Sequence, residues 1–240
     1  MNTVWRAGDT VVRPTGAHSP AVHDLLGHIR TRGFHGAPEV VAVGERTKTL
    51  SFVPGETSNY PLTPEFQMDD ALTSAARLLR EYHDATVGFD AVGHSWLLEP
   101  QEPAEVICHG DFAPYNCAVT AGEVTGVFDF DTAHPGPRLW DVGYAAYRWA
   151  PLVAPGNVAW LGDIDEQARR LRLFCAAYGV GKRDEVIRFA QERLTELVRV
   201  MRAWAADGHE ALAQHVTDGH DIRYLKDIEY LDENLERLAR

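Results

Sequence analysis

The sequence predicts a two-lobed α+β fold, in which a short β-rich lobe precedes a larger and mainly helical lobe. Up to about residue 55, short apolar runs alternate with turn signals around a single helical pattern. From Gly55 onward, most apolar residues recur at helical spacing. We therefore divide the chain of 240 residues into predicted lobes of residues 1–55 and 56–240.

The first lobe has the pattern of hairpin, helix and hairpin. Residues 4–13 predict a hairpin around the turn pair Gly8-Asp9. Residues 19–33 predict a helix that opens with serine followed by proline and ends at a glycine. Residues 40–53 predict a second strand pair, with a turn at 44–46.

The second lobe is predicted to be helical except near its middle. The stretch 88–103 carries Gly, Pro and Trp and predicts a loop. Residues 105–108 predict a strand, and residues 116–128 predict a hairpin around a turn at 121–123. Helices are predicted over residues 65–86, 142–149, 165–178, 184–206 and 219–240.

Two acidic motifs flank the predicted hairpin. The first, His109 to Asn116, reads H-G-D-x-x-x-x-N, and the second, Phe128 to Asp131, reads F-D-F-D. The hairpin would return Asp129 to the side of Asn116. Either motif alone would be weak, because Asp is common in turns. Their order and their separation by one hairpin favour a functional site over a chance set of acidic loop residues.

These residue types suit phosphoryl transfer. Asn and Asp supply the oxygen ligands that Mg²⁺ prefers, and a further carboxylate can accept the proton of an acceptor hydroxyl. We therefore predict Asp111 as the base, and Asn116 and Asp129 as metal ligands. Asp131 is predicted to assist the metal or to brace the loop.

The motifs, together with Asp141 and its neighbours, resemble the aminoglycoside phosphotransferase family, a branch of the protein-kinase-like fold. The resemblance implies transfer of a γ-phosphoryl group from ATP or GTP, with Mg²⁺, to a hydroxyl of a small molecule. It also implies that the backbone around Phe52 and Val53 holds the adenine, and that Asp141 braces the catalytic loop. We assign His83, at the end of a predicted helix, a structural role.

The first lobe departs from the protein-kinase pattern, which has a Gly-rich loop and a lysine that contacts phosphates. Neither is recognised here, and Arg13 stands at the position that resembles the lysine. We predict that Arg13 contacts phosphate, and the alternative is a surface arginine at a strand end. Two other functions stay open: a kinase for choline, a sugar or a hydroxy amino acid, or a degraded kinase-like binding or immunity protein without turnover.

The composition of the chain limits the classes of partner and the cellular compartment that we expect. The formal net charge of −12 argues against binding to nucleic acid. Three cysteines are too few and too irregular for a disulfide framework. The first residues lack an apolar signal core and no stretch is long enough to span a membrane, so we expect a cytoplasmic protein. The acids of residues 218–236 would suit a cationic acceptor, although a solvated helix face has the same composition.

Overall fold

The computed structural model describes residues 4–240 and opens with a four-stranded antiparallel sheet. Residues 1–3, which begin the first predicted lobe, lie outside the described residues. The sheet has the order β1-β2-β4-β3, and a helix connects β2 to β3. The predicted order of hairpin, helix and hairpin is confirmed. These elements are β1 (Trp5–Ala7), β2 (Thr10–Pro14), α1 (Ser19–Thr31), β3 (Val40–Val43) and β4 (Thr47–Ser51).

The rest of the chain is helical apart from two small antiparallel pairs, β5 with β8 and β6 with β7. The α+β fold class is therefore confirmed. The strands are β5 (Val106–Cys108), β6 (Cys117–Thr120), β7 (Glu123–Val127) and β8 (His134–Gly136). The helices are α2 (Pro64–Gln67), α3 (Asp69–Thr86), α4 (Arg138–Trp149), α5 (Ile164–Tyr178), α6 (Arg183–Ala206), α7 (Glu210–Thr217), α8 (His220–Glu233) and α9 (Leu235–Leu238).

Three element predictions need correction. The helix expected over residues 65–86 is two helices, because Met68 has extended backbone angles and the carbonyl of Gln67 accepts a bond from Arg170 at 2.6 Å. The strand β8 was not predicted, because a three-residue strand containing proline has no readable alternation. Its partner β5 is also distant in the sequence: β5 begins at Val106, 28 residues before β8 begins at His134. Helix α7 was also missed; it is only eight residues long and none of its residues is fully buried.

The core follows from the apolar stripes of the helices. The long helix α3 packs against α5 on one side and against β7 on another, while α4 packs against α6. Side chains such as Leu72, Leu79 and Trp149 are fully buried between these layers. Burial of each large apolar side chain contributes about 1.5–3 kcal/mol, which holds the helices around the loops that carry the acidic motifs. None of the described helices is long and apolar enough to cross a membrane.

Helices α4 and α6 approach most closely at Gly143. A Cβ atom at this position would lie 2.6 Å from the backbone nitrogen of Ala190 and 2.8 Å from the carbonyl carbon of Phe189. Both neighbouring atoms belong to the backbone of α6 and cannot rotate away. A glycine is therefore required here by the packing distance between the two helices.

We predict that Gly143→Ala destabilises the protein by about 1–3 kcal/mol, the usual cost of overpacking. Gly27→Ala is the matched control, because it lies on exposed helix surface in α1 where a Cβ meets nothing within 4 Å. Alanine should be neutral or slightly stabilising there, since glycine is a poor helix former. Urea denaturation of both variants tests this. Equal stabilities of the two variants would contradict the packing argument.

Candidate active site

The H-G-D motif follows directly from strand β5. Gly110 has φ +80°, and a Cβ atom there would collide with the carbonyl oxygen of Thr132, so the second motif position must be glycine. The carbonyl of Gly110 accepts a bond of 2.9 Å from Arg193 on α6. The backbone of the loop is therefore held from both sides, which sets the direction of the next side chain, Asp111.

The carboxylate of Asp141 braces this loop. Its Oδ2 accepts a bond of 2.6 Å from the amide of His109, and its Oδ1 accepts one of 3.0 Å from the amide of Gly110. His83 Nε2 lies 3.0 Å from Oδ2, and His83 Nδ1 lies 2.8 Å from the hydroxyl of Tyr178. The predicted bracing role of Asp141 and structural role of His83 are both confirmed by these contacts.

The hydrogen bonds and burial of Asp141 and His83 determine the charge of each side chain. Burial alone would raise the pKa of Asp141, but the bonds from His83 and from the backbone lower it to about 2. Burial lowers the pKa of His83 by more than Asp141 raises it. At neutral pH a neutral imidazole therefore donates from Nε2 to an ionised Asp141, and Nδ1 accepts from Tyr178.

Asp111 lies at the centre of a second set of hydrogen bonds. Its Oδ1 accepts from the hydroxyls of Tyr115 at 2.6 Å and Tyr144 at 3.0 Å. Its Oδ2 accepts from Asn116 Nδ2 at 2.9 Å. Burial raises the pKa of Asp111, and the tyrosine hydrogen bonds oppose that rise. A carboxylate fixed by three donors, with its pKa raised above the ordinary value, would suit the predicted role of general base.

The predicted hairpin brings the two motifs together. The amide of Phe128, at the end of β7, donates to the carbonyl of Asn116 at 2.9 Å. Asp129 follows in the left-handed region with φ 67°, which is rare for a residue other than glycine. Such a strained conformation turns the chain sharply and is often found at functional sites. Its side chain is 41% exposed, so it keeps access to a ligand.

Three basic side chains of the N-terminal part converge on Asp131. Lys48 Nζ lies 2.8 Å from Oδ1, Arg13 Nη2 lies 2.9 Å from Oδ2, and His18 Nε2 lies 3.4 Å from Oδ1. Arg13 also donates to Asp129 at 2.7 Å. Although burial alone would raise the pKa of Asp131, these contacts hold it well below its usual range.

Lys48 corrects the expectation that no lysine stands in this site. It lies on β4, opposite Arg13 of β2 in the strand register, and only 1% of its side chain is exposed. Residues opposite each other in a register share a face, so the two cations meet the same carboxylate. Lys48 and Leu50 are two residues apart in β4, so both lie on its buried face. This spacing in the sequence could have indicated that Lys48 is buried.

One cavity lies between the sheet and the second motif. It measures about 260 Å³ and is lined by four of the predicted residues, Arg13, Phe52, Val53 and Asp129. Glu56 then pairs with Val119 of β6 through two backbone bonds of 2.9 and 2.8 Å, which fixes the connection just after Phe52 and Val53. Arg13, Phe52 and Val53, which were assigned to nucleotide, thus line one cavity with Asp129, whereas Asn116, assigned to nucleotide and metal, does not line it.

A second cavity, also about 260 Å³, lies on the other side of the catalytic loop and includes Asp111 in its lining. We call it the acceptor cavity. Most of its wall is apolar or aromatic, with side chains from α4, α6 and α7: Trp140, Leu197, Val200, Met201, Trp204 and Leu212. Its shape and lining suit a ligand with an apolar surface.

The acids of the C-terminal helix have other partners. Asp221 is paired with Arg202 at 2.7 Å. Asp227 accepts bonds from Tyr147, Asn157 and the amide of Ala154 at 2.7–2.8 Å. Neither acid lines the acceptor cavity. Their contacts therefore give no support to the hypothesis that they hold a cationic acceptor.

The oxygens available to a metal ion are few. Asn116 donates through Nδ2, which leaves its Oδ1 as an acceptor, and Asp129 shares one oxygen with Arg13. Both oxygens of Asp131 are occupied by cations. Among residues 4–240, no group of three or more His, Cys, Asp and Glu side chains is arranged to hold a metal. Asn116 and Asp129 keep oxygens that could accept a cation, and metal ligation by Asn116, Asp129 and Asp131 stays a prediction.

The fold and the site define a kinase-like phosphotransferase architecture. Residues 89–186 match the family described as the phosphotransferase enzyme family, whose short name is APH. The trifolitoxin immunity protein of Rhizobium leguminosarum bv. trifolii is 32% identical over 206 residues, which cover 78% of this chain and 77% of that protein. The chain belongs to this phosphotransferase enzyme family.

Solved structures support the fold. An amicoumacin kinase in complex with AMP-PNP, Ca²⁺ and its ligand has a TM-score of 0.63 at 13% identity, covering 95% of this chain and 87% of that chain. An aminoglycoside phosphotransferase from Streptomyces rimosus, in complex with ADP and streptomycin, has a TM-score of 0.59 at 16% identity. The match covers 78% of this chain and 87% of that chain. An aminoglycoside phosphotransferase from Alicyclobacillus acidocaldarius has a TM-score of 0.54 at 15% identity, and the match covers 98% of this chain and 92% of that chain.

The Asp141 contacts predict a defined pH dependence. Because its folded pKa is about 2 and the unfolded value is about 3.9, ionised Asp141 stabilises the fold fully above about pH 4. That contribution, about 2 kcal/mol, is lost as the pH falls through about 2. Asp141→Asn should cost about 2–4 kcal/mol at pH 7, and the difference from the wild type should shrink towards pH 2.

Urea denaturation at pH values from 7 to 2.5 measures this difference. Asp232→Asn, on the exposed face of α8, is the control and should follow the wild type throughout. A stability difference for Asp141→Asn that stays constant over the whole range would contradict the assignment of an ionised buried carboxylate.

Proposed function

We propose that this protein transfers the γ-phosphoryl group of a nucleoside triphosphate, most simply ATP, to a hydroxyl of a small molecule. One observation carries the proposal: each acidic motif contributes to a cavity, since Asp129 lines one together with Arg13 and Asp111 lines the other. A triphosphate in the first cavity and a hydroxyl in the second would meet at Asp111. The proposal extends to this chain what its family name describes.

In the proposed reaction, the acceptor oxygen forms a bond to the γ-phosphorus while the bond from phosphorus to the β-phosphate oxygen breaks. The acceptor proton passes to Asp111, and the nucleoside diphosphate leaves. Tyr115 and Tyr144 hold Asp111 by their hydroxyls, so its orientation does not change during transfer. Such fixed placement supplies much of the rate enhancement expected from a positioned base.

Asn116 and Asp129 would hold Mg²⁺. A bound divalent cation would neutralise phosphate charge, and oxygen ligands of this kind are what Mg²⁺ prefers. Asp131, in this proposal, positions Lys48 and Arg13. Arg13 lines the nucleotide cavity and can offer a planar fork to phosphate oxygens once a nucleotide is present.

A second function has specific support: binding of a toxic ligand without turnover. The relative at 32% identity is an immunity protein. In addition, Asp129 and Asp131 are both ion-paired with Arg13, so their charges are satisfied within the chain. The two functions differ in whether nucleotide and Mg²⁺ bind together, which makes that coupling the first measurement.

For the phosphotransferase, we predict that AMP-PNP binds at least about tenfold more tightly in Mg²⁺ than in chelator, because the metal bridges phosphate and protein oxygens. Asn116→Ala and Asp129→Ala should each lose most of that gain. Asp232→Ala, on exposed surface, should keep it. Isothermal titration calorimetry in Mg²⁺ and in chelator measures this gain in affinity for the wild type and the three variants. Equal affinity of the wild type in Mg²⁺ and in chelator would favour the binding protein.

We further predict that Asp111→Asn slows phosphoryl transfer by about 10²–10⁴-fold, while nucleotide affinity stays within about twofold. The substitution preserves the shape of the side chain and an oxygen that can accept from the tyrosines. Phosphate release from ATP with water as acceptor provides the assay before a substrate is known, and product detection provides it afterwards. Wild-type turnover in this variant would remove Asp111 from the role of base.

A further inference from the structure

A third cavity, of about 240 Å³, lies next to the acceptor cavity, and Tyr224 lines both. We call it the Arg148 cavity. Its charged lining consists of Arg148, His220 and Arg223, and none of the described Asp or Glu residues lines it. In a chain with a formal net charge of −12, a cavity with only basic charges is unusual. It would attract an anionic ligand.

The guanidinium of Arg148 is enclosed by aromatic rings. Its Cζ lies 4.3 Å from the ring centre of Tyr60, 5.3 Å from that of Tyr115 and 5.6 Å from that of Tyr147. Its Nε is buried without a hydrogen-bond partner, whereas the residue as a whole is part-exposed. Ring faces attract the positive charge, but they do not supply the oxygen acceptors that five N–H groups require.

Other enclosed arginines of this protein have such acceptors. Arg13 pairs with two carboxylates. Arg170 donates to the carbonyl of Gln67 at 2.6 Å, and Arg193 donates to the carbonyl of Gly110 at 2.9 Å. Arg148 differs from these three arginines in having no carboxylate or carbonyl of the described residues as a side-chain hydrogen-bond partner, although Arg170 also has a buried Nε without a partner. A buried N–H group without an acceptor is costly, so a ligand oxygen at Arg148 Nε would be stabilised.

The nearest acids cannot serve as that partner. Asp111 accepts three hydrogen bonds from other side chains. Asp227 accepts three as well, from Tyr147, Asn157 and the amide of Ala154. Helix α8 begins at His220 in the wall of this cavity, and its first turn also contains Asp221, which is paired with Arg202.

We propose that the Arg148 cavity binds a carboxylate, and that the acceptor of phosphoryl transfer is therefore a hydroxy acid. A planar guanidinium can pair with a carboxylate through two parallel hydrogen bonds, and the ring faces around it suit the apolar body of an organic acid. The carboxylate site stands on the geometry of Arg148 alone. Its assignment to the acceptor rests on the proposed function.

Tyr115 gives the spacing of the two groups on the ligand. Its hydroxyl lies 2.6 Å from Asp111 Oδ1, and its ring centre lies 5.3 Å from the guanidinium of Arg148. One tyrosine side chain thus spans from the base to the cation. An acceptor that contacts both must carry its hydroxyl and its carboxylate about one tyrosine side chain apart, as an aromatic hydroxy acid does.

The test compares 4-hydroxyphenylacetate with its amide, 4-hydroxyphenylacetamide, as probes of equal shape and different charge. Calorimetry or ligand-observed NMR should show that the wild type binds the acid at least about tenfold more tightly than the amide. Arg148→Met should abolish that preference, and Arg223→Met should reduce it by a smaller factor. Arg77→Met, on the exposed face of α3, is the control and should keep the full preference.

Equal affinity of the wild type for acid and amide, including no detectable binding of either, overturns the proposal whether or not the variants fold. A preference that survives in Arg148→Met overturns it too. Nucleotide binding measured in parallel separates the two hypotheses. Preference for the acid without nucleotide binding would support the carboxylate site and contradict the proposed phosphotransferase function. Nucleotide binding without preference for the acid would contradict the carboxylate site and support the proposed function.

Discussion

The buried carboxylate of Asp141 is the interaction on which the site depends. It joins the amides of His109 and Gly110 to His83 of α3, and through His83 to Tyr178 of α5. A carboxylate that accepts backbone bonds in a buried place has strict geometric requirements. The loop that presents Asp111 therefore takes its position from the packed helices and not from its own flexible backbone.

A second electrostatic network connects the N-terminal sheet to the F-D-F-D segment. Lys48 and Arg13 come from adjacent strands, and their charges meet at Asp131. Lys48 is almost fully buried and lies within ion-pair distance of Asp131, and an unpaired ammonium at that depth would be very costly. The same contacts place cations beside the cavity in which triphosphate is proposed to bind, so the network serves both stability and recognition.

The three cavities differ in polarity, although they surround one loop. The nucleotide side combines Arg13 and Asp129 with apolar residues, the acceptor side is mostly apolar and aromatic, and the Arg148 cavity is basic. Three carboxylates, those of Glu99, Asp111 and Glu196, line the acceptor cavity, whereas none of the described Asp or Glu residues lines the Arg148 cavity. The two neighbouring cavities therefore present different charges to a ligand.

The sequence by itself determined the motifs and the elements that carry them. H-G-D-x-x-x-x-N, the hairpin after it and F-D-F-D could be read because turn signals and spacing are local. Arg13, Phe52 and Val53 were assigned to nucleotide from the sequence, and in the structure they line one cavity together with Asp129. Only the tertiary structure showed Lys48, the tyrosines that hold Asp111, and the isolated Arg148. Each of these depends on contacts between residues distant in the chain, and burial and hydrogen-bond partners are set by packing that no local pattern records.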